Sequence, residues 1–144
     1  MNTHNSIKTG NKKAGTIMVV DDDLDLVTLF KITLQKHGYE VFDFTDPFLA
    51  LEYFKKNYDI YNLVISDLRM PGMDGFEFLK NIKLINPKTK VLLMSAFDTS
   101  EDTVFARYKE NNGIDDFIQK PMSIQKLYTL VNSHLKRKSK WLFV

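Results

Sequence analysis

Val64-Ile65-Ser66-Asp67-Leu68-Arg69-Met70-Pro71-Gly72-Met73-Asp74-Gly75 is the stretch that decides how this chain folds. An apolar run ends in a carboxylate, and a Pro/Gly turn follows at once. That pattern predicts a strand delivering an acid to the carboxyl edge of a sheet. Three further strand-end polar groups appear in order along the chain. Asp21, Asp22 and Asp23 end the run Thr16–Val20, Ser95 ends Val91–Met94, and Lys120-Pro121 ends Phe117–Gln119.

Between these runs the apolar residues change period. Leu26, Leu29, Phe30, Thr33, Leu34 and His37 follow helical spacing and stop at Gly38. Val41–Phe44 is a second strand, and Asp46-Pro47 opens a helix carrying Phe48, Leu51 and Phe54. Phe76, Leu79 and Ile82 mark the inner face of a third helix. A fourth is expected from about Thr99 to Asn111, and Ser123 caps a fifth with Ile124, Leu127, Tyr128, Val131 and Leu135 on one side. Five strand–helix units in a row, with strands apolar on both faces, predict a three-layer, doubly wound, five-stranded parallel sheet. In such folds the functional crevice lies at the carboxyl ends of the strands, where the polar residues above fall.

The 144 residues suit one domain, and 44% hydrophobic residues can build its core. Cysteine is absent, which excludes disulfides and thiolate metal sites. With no apolar run long enough for a membrane span and no signal-peptide core, the expectation is a cytoplasmic protein with no membrane partner. All 18 acidic residues but only 13 of the 20 basic ones lie in 16–135, so that stretch carries a net −5 against +2 for the whole chain. The folded body is acidic, which argues against direct nucleic-acid binding. The expected organisation is a disordered tail over 1–15, a domain over 16–137 and a basic, then apolar, tail over 138–144.

Two carboxylates about 4 Å apart repel by about 4 kcal/mol at an effective dielectric near 20. A cluster built from Asp21, Asp22 and Asp67 must take up protons or bind a hard cation. Oxygen ligands without a closed cage suit Mg2+, which keeps waters and shares its shell with phosphate. A carboxylate can attack phosphorus to give a mixed anhydride, with catalysis mostly positioning and electrostatics. Lys120 and Ser95 are placed to cover further phosphoryl oxygens, and Pro121 is a candidate for a cis peptide bond.

Jointly, Ile17–Asp23, His37–Val41, Val64–Gly75, Leu92–Ala96 and Phe117–Pro121 resemble the response-regulator receiver domain of two-component signalling. The resemblance implies a flavodoxin-like sheet of order 2-1-3-4-5. It implies Asp67 as phosphoacceptor, Asp22 as a direct Mg2+ ligand, Asp21 as a ligand through water, and the Arg69 carbonyl as a further ligand. Ser95 resembles the hydroxyl that swings onto the phosphoryl group, Lys120 its ion-pair partner, and Phe117 the switch aromatic. The implied donor is a phosphohistidine on a sensor histidine kinase or a phosphotransfer protein. The implied output is a downstream protein partner, with a homodimer through the fourth helix, fifth strand and fifth helix as one form. Such a domain catalyses only its own phosphorylation and dephosphorylation.

Some features depart from that pattern. Ser95 and Phe117 lie 22 positions apart, which predicts an insertion in the fourth helix or its loop. Arg69 and Phe97 are large residues expected to flank the phosphoryl group and to slow attack by water. Phe105, Tyr108 and Tyr128 either join Phe117 on the output surface or pack helices. The tail ending Trp141-Leu142-Phe143-Val144 is either a frayed end or a docking segment. Two rivals share the motif. A haloacid-dehalogenase-type phosphatase needs a second acid two residues after the nucleophile, where Arg69 stands. A binding module without phosphorylation would be favoured by loss of the acids or the lysine, all of which are present.

Overall fold

The computed structural model describes residues 14–96 and 113–136. The helix expected over 99–111, with Phe97, Phe105 and Tyr108, and the tail beyond Lys136 lie outside the described residues. The strands are β1 (Gly15–Val20), β2 (Tyr39–Phe44), β3 (Leu63–Asp67), β4 (Lys90–Ser95) and β5 (Asp116–Gln119). The described helices are α1 (Leu24–Lys36), α2 (Pro47–Lys56), α3 (Gly75–Ile85) and α4 (Ile124–Leu135). All strand pairings are parallel, in the order β2-β1-β3-β4-β5. Gly15, within the expected tail, stands opposite Tyr39 as the first residue of β1.

Successive strand residues point to opposite faces, so each strand feeds two cores. Met18, Val20, Val64 and Leu93 pack with Ala50 and Phe54 of α2 and with Leu79 and Ile82 of α3. Ile17, Val19, Ile65 and Leu92 pack on the other face with Phe30 and Leu34 of α1 and with Leu127 and Val131 of α4. Burying each of these large aliphatic or aromatic side chains contributes about 1.5–3 kcal/mol.

Local sequence sets the helix starts. Asp23, Asp46, Asp74 and Ser123 each accept a backbone N–H of the first turn of α1, α2, α3 and α4 respectively. Pro47 fills the first position of α2, where a missing N–H costs nothing. The expected inner faces need correction at their margins. Leu29 is exposed in α1, Phe48 in α2 and Ile124 in α4. A 3.6-residue period locates the centre of a buried stripe better than its edges. In α1 the buried residues are Val27, Phe30, Thr33 and Leu34.

Register aligns the strand ends. Val20 stands opposite Ser66, Asp67 opposite Met94, and Ser95 opposite Gln119. Residues 21, 67, 95 and 120 therefore emerge along one edge of the sheet. Just beyond it, the Gly75 N–H donates to the Leu68 carbonyl at 2.8 Å. A Cβ at Gly75 would run into the Asp67 carbonyl oxygen and come within 2.7 Å of Leu93 Cδ1. Only glycine lets α3 start this close to β3. Gly75→Ala is expected to cost about 3 kcal/mol, the upper end for overpacking, read as a lower urea midpoint; an unchanged midpoint contradicts the close approach.

Candidate functional site

Asp21, Asp22 and Asp67 each offer a carboxylate oxygen within 4.8 Å of the others. Asp21 and Asp67 are buried, at 1% and 7% exposure, and Asp22 is exposed. Lys120 Nζ lies 2.8 Å from Asp21 Oδ2 and 2.9 Å from Asp67 Oδ1. One ammonium thus bridges carboxylates from two strands, rather than serving Asp67 alone. The Lys120–Pro121 peptide is cis. The backbone N–H of Lys120 donates to the Ser95 carbonyl at 2.7 Å, continuing the ladder of β5 on β4 to the end of the strand.

Asp23 does not join this group. Its Oδ1 accepts from the N–H groups of Asp25 and Leu26, so it serves as the cap of α1. Asp21 Oδ1 in turn accepts from the Asp23 N–H at 2.9 Å, which fixes the turn leaving β1. Asp21 Oδ2 is buried and has no hydrogen bond of ordinary geometry; its contact with Lys120 is ionic. A cavity of about 300 Å³ opens beside Asp67, lined by Leu68, Arg69, Ser95, Ala96 and Lys120. Ser95 is buried at 2% exposure, Arg69 is exposed, and Phe117 is half-buried against the core beneath α2 and α3. Tyr128 takes the packing alternative: its ring stacks on His37 at 3.7 Å between centroids.

The charges are mismatched. Three carboxylates meet the Lys120 ammonium, so among these four groups negative charge exceeds positive by two. At 4.8 Å each pair of carboxylates repels by about 3–4 kcal/mol with an effective dielectric near 20. Burial pushes the Asp67 carboxyl above the usual carboxylate range, with Lys120 and the Leu68 N–H opposing and Asp22 adding to it. Burial likewise raises Asp21, against the pull of Lys120 and the Asp23 N–H, and Asp67 adds to the rise. Burial alone would lower Lys120; its contacts with Asp21 and Asp67 outweigh that and push it up. The donor set fits a divalent cation: hard oxygens, a buried Asp21 oxygen without a hydrogen bond, and two negative charges to neutralise.

The residue that sequence patterns missed is Gly75, for which the Asp74-Gly75 pair after a Pro/Gly turn is the available signal.

A carboxyl raised on folding binds its proton more tightly in the folded chain than in the unfolded one. Its contribution to stability is present below the ordinary pKa of about 4 and is lost as pH rises through the folded value. Asp21→Asn removes that loss. In metal-free protein it is expected to raise Tm at pH 7 by a few degrees, with the gain shrinking toward pH 4. A Tm below wild type at pH 7 contradicts the charge mismatch.

A family model described as the response regulator receiver domain matches residues 17–132. The chain is 38% identical over 119 residues to the transcriptional regulatory protein ZraR of Klebsiella oxytoca, covering 83% of this chain but 26% of that protein. It therefore spans about a quarter of that relative's length. It is 32% identical to sporulation initiation phosphotransferase F of Bacillus subtilis, covering 85% of this chain and 95% of that protein. Among solved structures, the chemotaxis response regulator CheY4 of Vibrio cholerae superposes with a TM-score of 0.74 at 27% identity, over 83% of this chain and 98% of that one. With its sheet order and acidic edge, the chain belongs to the response regulator receiver domains of two-component signalling.

Proposed function

We propose that Asp67 accepts a phosphoryl group from a phosphohistidine and that the chain switches conformation in response. The observation that supports this most is the placement of Lys120 Nζ 2.9 Å from Asp67 Oδ1 at the mouth of a cavity that Ser95 also lines. An Asp67 carboxylate oxygen attacks phosphorus in line. The P–N bond breaks, and its electron pair leaves on the imidazole nitrogen. The product is an aspartyl phosphate, a mixed anhydride. Lys120 gives up part of its pairing with Asp67 and Asp21 to hold a phosphoryl oxygen, and the Ser95 hydroxyl donates to another. Asp22 directly, Asp21 through water, Asp67 and the Arg69 carbonyl would hold Mg2+. When bound, Mg2+ supplies the positive charge that offsets the phosphoryl oxygens and the acidic cluster.

The switch follows from the same contacts. As Lys120 and Ser95 turn to the phosphoryl group, the ends of β4 and β5 shift, and half-buried Phe117 on β5 responds. The surface of β5 and α4 then changes for a downstream protein partner or a second copy. The donor is a sensor histidine kinase or a phosphotransfer protein, and the setting is the cytoplasm. Among the described residues no helix is long and apolar enough to cross a membrane. A coupling of about 1–3 kcal/mol between phosphorylation and output is typical of such switches.

Acetyl phosphate with Mg2+ is expected to add one phosphoryl mass to the intact protein, and none to Asp67→Asn or to wild type with the metal chelated. Labelling of Asp67→Asn contradicts the assignment. Mg2+ alone, at ten times its dissociation constant, is expected to stabilise wild type by about 1.4 kcal/mol, and Asp22→Asn much less. Arg69→Asn is expected to shorten the aspartyl-phosphate lifetime several-fold; unchanged decay removes Arg69 as the shield against water.

A further inference from the structure

We infer that Phe48, at the start of α2, is a positioning residue for the turn that carries the proposed metal-ligating carbonyl of Arg69. This rests on the function proposed above.

The turn leaves β3 after Asp67 and enters α3 at Gly75. Met70 and Met73 are buried at 8% and 5% exposure, and Pro71 and Gly72 between them are exposed. The turn is therefore pinned at two points and bulges outward between them. Gly72 has φ +88°, in the left-handed region that side chains disfavour. Its freedom from a side chain is also used sterically. A Cβ at residue 72 would fall 2.7 Å from Phe48 Cε2 and 3.3 Å from Phe48 Cζ. The ring thus lies directly against the face of Gly72 where a side chain would stand.

Phe48 is itself held in place. Its backbone N–H donates to Asp46 Oδ1 at 2.9 Å, and Pro47 before it is buried. Yet the side chain is 53% exposed. The ring is not part of the buried stripe by which α2 packs on the sheet, which Ala50 and Phe54 supply. What the ring covers instead is the outward bulge of the turn, from a neighbouring helix rather than from the core. The ring limits how far Pro71-Gly72 moves outward, and so how far the Arg69 carbonyl, two and three residues earlier, departs from the Asp21–Asp22–Asp67 cluster. A ligand carbonyl held by outer contacts binds its metal more tightly than one on a loose turn.

The test compares Phe48→Ala, Phe48→Tyr, Gly72→Ala and the double variant Phe48→Ala/Gly72→Ala, each as the full chain. Three quantities are measured: Mg2+ affinity by calorimetry, hydrogen exchange of the 70–73 amides without metal, and the urea midpoint. Phe48→Ala is expected to weaken Mg2+ binding about tenfold, the low end for loss of an outer contact, and to speed exchange in the turn, with a small change in midpoint. Phe48→Tyr is expected to retain wild-type affinity. Gly72→Ala weakens binding through strain and collision. The collision is relieved in the double variant, so the two losses are expected to combine to less than their product. A Phe48→Ala protein with a shifted midpoint but wild-type Mg2+ affinity and turn exchange would overturn the inference and leave Phe48 a packing residue. If wild type takes up no Mg2+, the metal part of the proposed function fails. Exchange in the turn then still decides the role of Phe48, and unchanged exchange overturns it.

Discussion

Three acids crowd one end of a parallel sheet, and a single ammonium bridges two of them. Every other feature of the site is arranged around that imbalance. Asp21 and Asp67 emerge side by side because Val20 is in register with Ser66. Lys120 reaches both because β5 ends in register with Ser95, one strand beyond. A slip of one residue in either pairing would turn the side chains to the opposite face and separate the charges. The two cores hold the register and carry the site without taking part in its chemistry.

The mismatch also explains how a stable fold can be responsive. Repulsion between carboxylates and the burial of Asp21 and Asp67 oppose folding, and the cores of α1/α4 and α2/α3 outweigh them. A bound cation would relieve the strain, and a phosphoryl group on Asp67 would redistribute what is left. Lys120 would then have a new partner, and the strand ends that hold Lys120 and Ser95 would feel the change. Ground-state pairing of Lys120 with both acids is the contact that phosphorylation would redraw.

Much of this was legible in the chain. A strand buried on both faces reads as an unbroken apolar run, so the first polar residue after it marks the sheet edge. That marking located Asp21, Asp67, Ser95 and Lys120, and the alternation of periods conveyed five strand–helix units and a parallel sheet, while the order of its strands came from the family resemblance. Other features depend on distances that no run of residues encodes. Asp23 belongs to the same acidic run as Asp21 and Asp22 and is a helix cap, a choice made by backbone angles at one turn. Leu29, Phe48 and Ile124 fit a helical stripe but sit at its rim. The bridging of Asp21 and Asp67 by Lys120 depends on the register of β1, β3, β4 and β5 together. Gly75 is required by the approach of α3 to the Asp67 carbonyl, which becomes visible only once both elements are placed.

The central claim is that one acid, at residue 67, carries the phosphoryl group. An acyl phosphate is reduced by borohydride to an alcohol, which turns a phosphorylated aspartate into homoserine. Phosphorylated protein treated this way and mapped by peptide mass is predicted to show homoserine at residue 67 alone. Conversion at Asp21, at Asp22 or at no position would contradict the account.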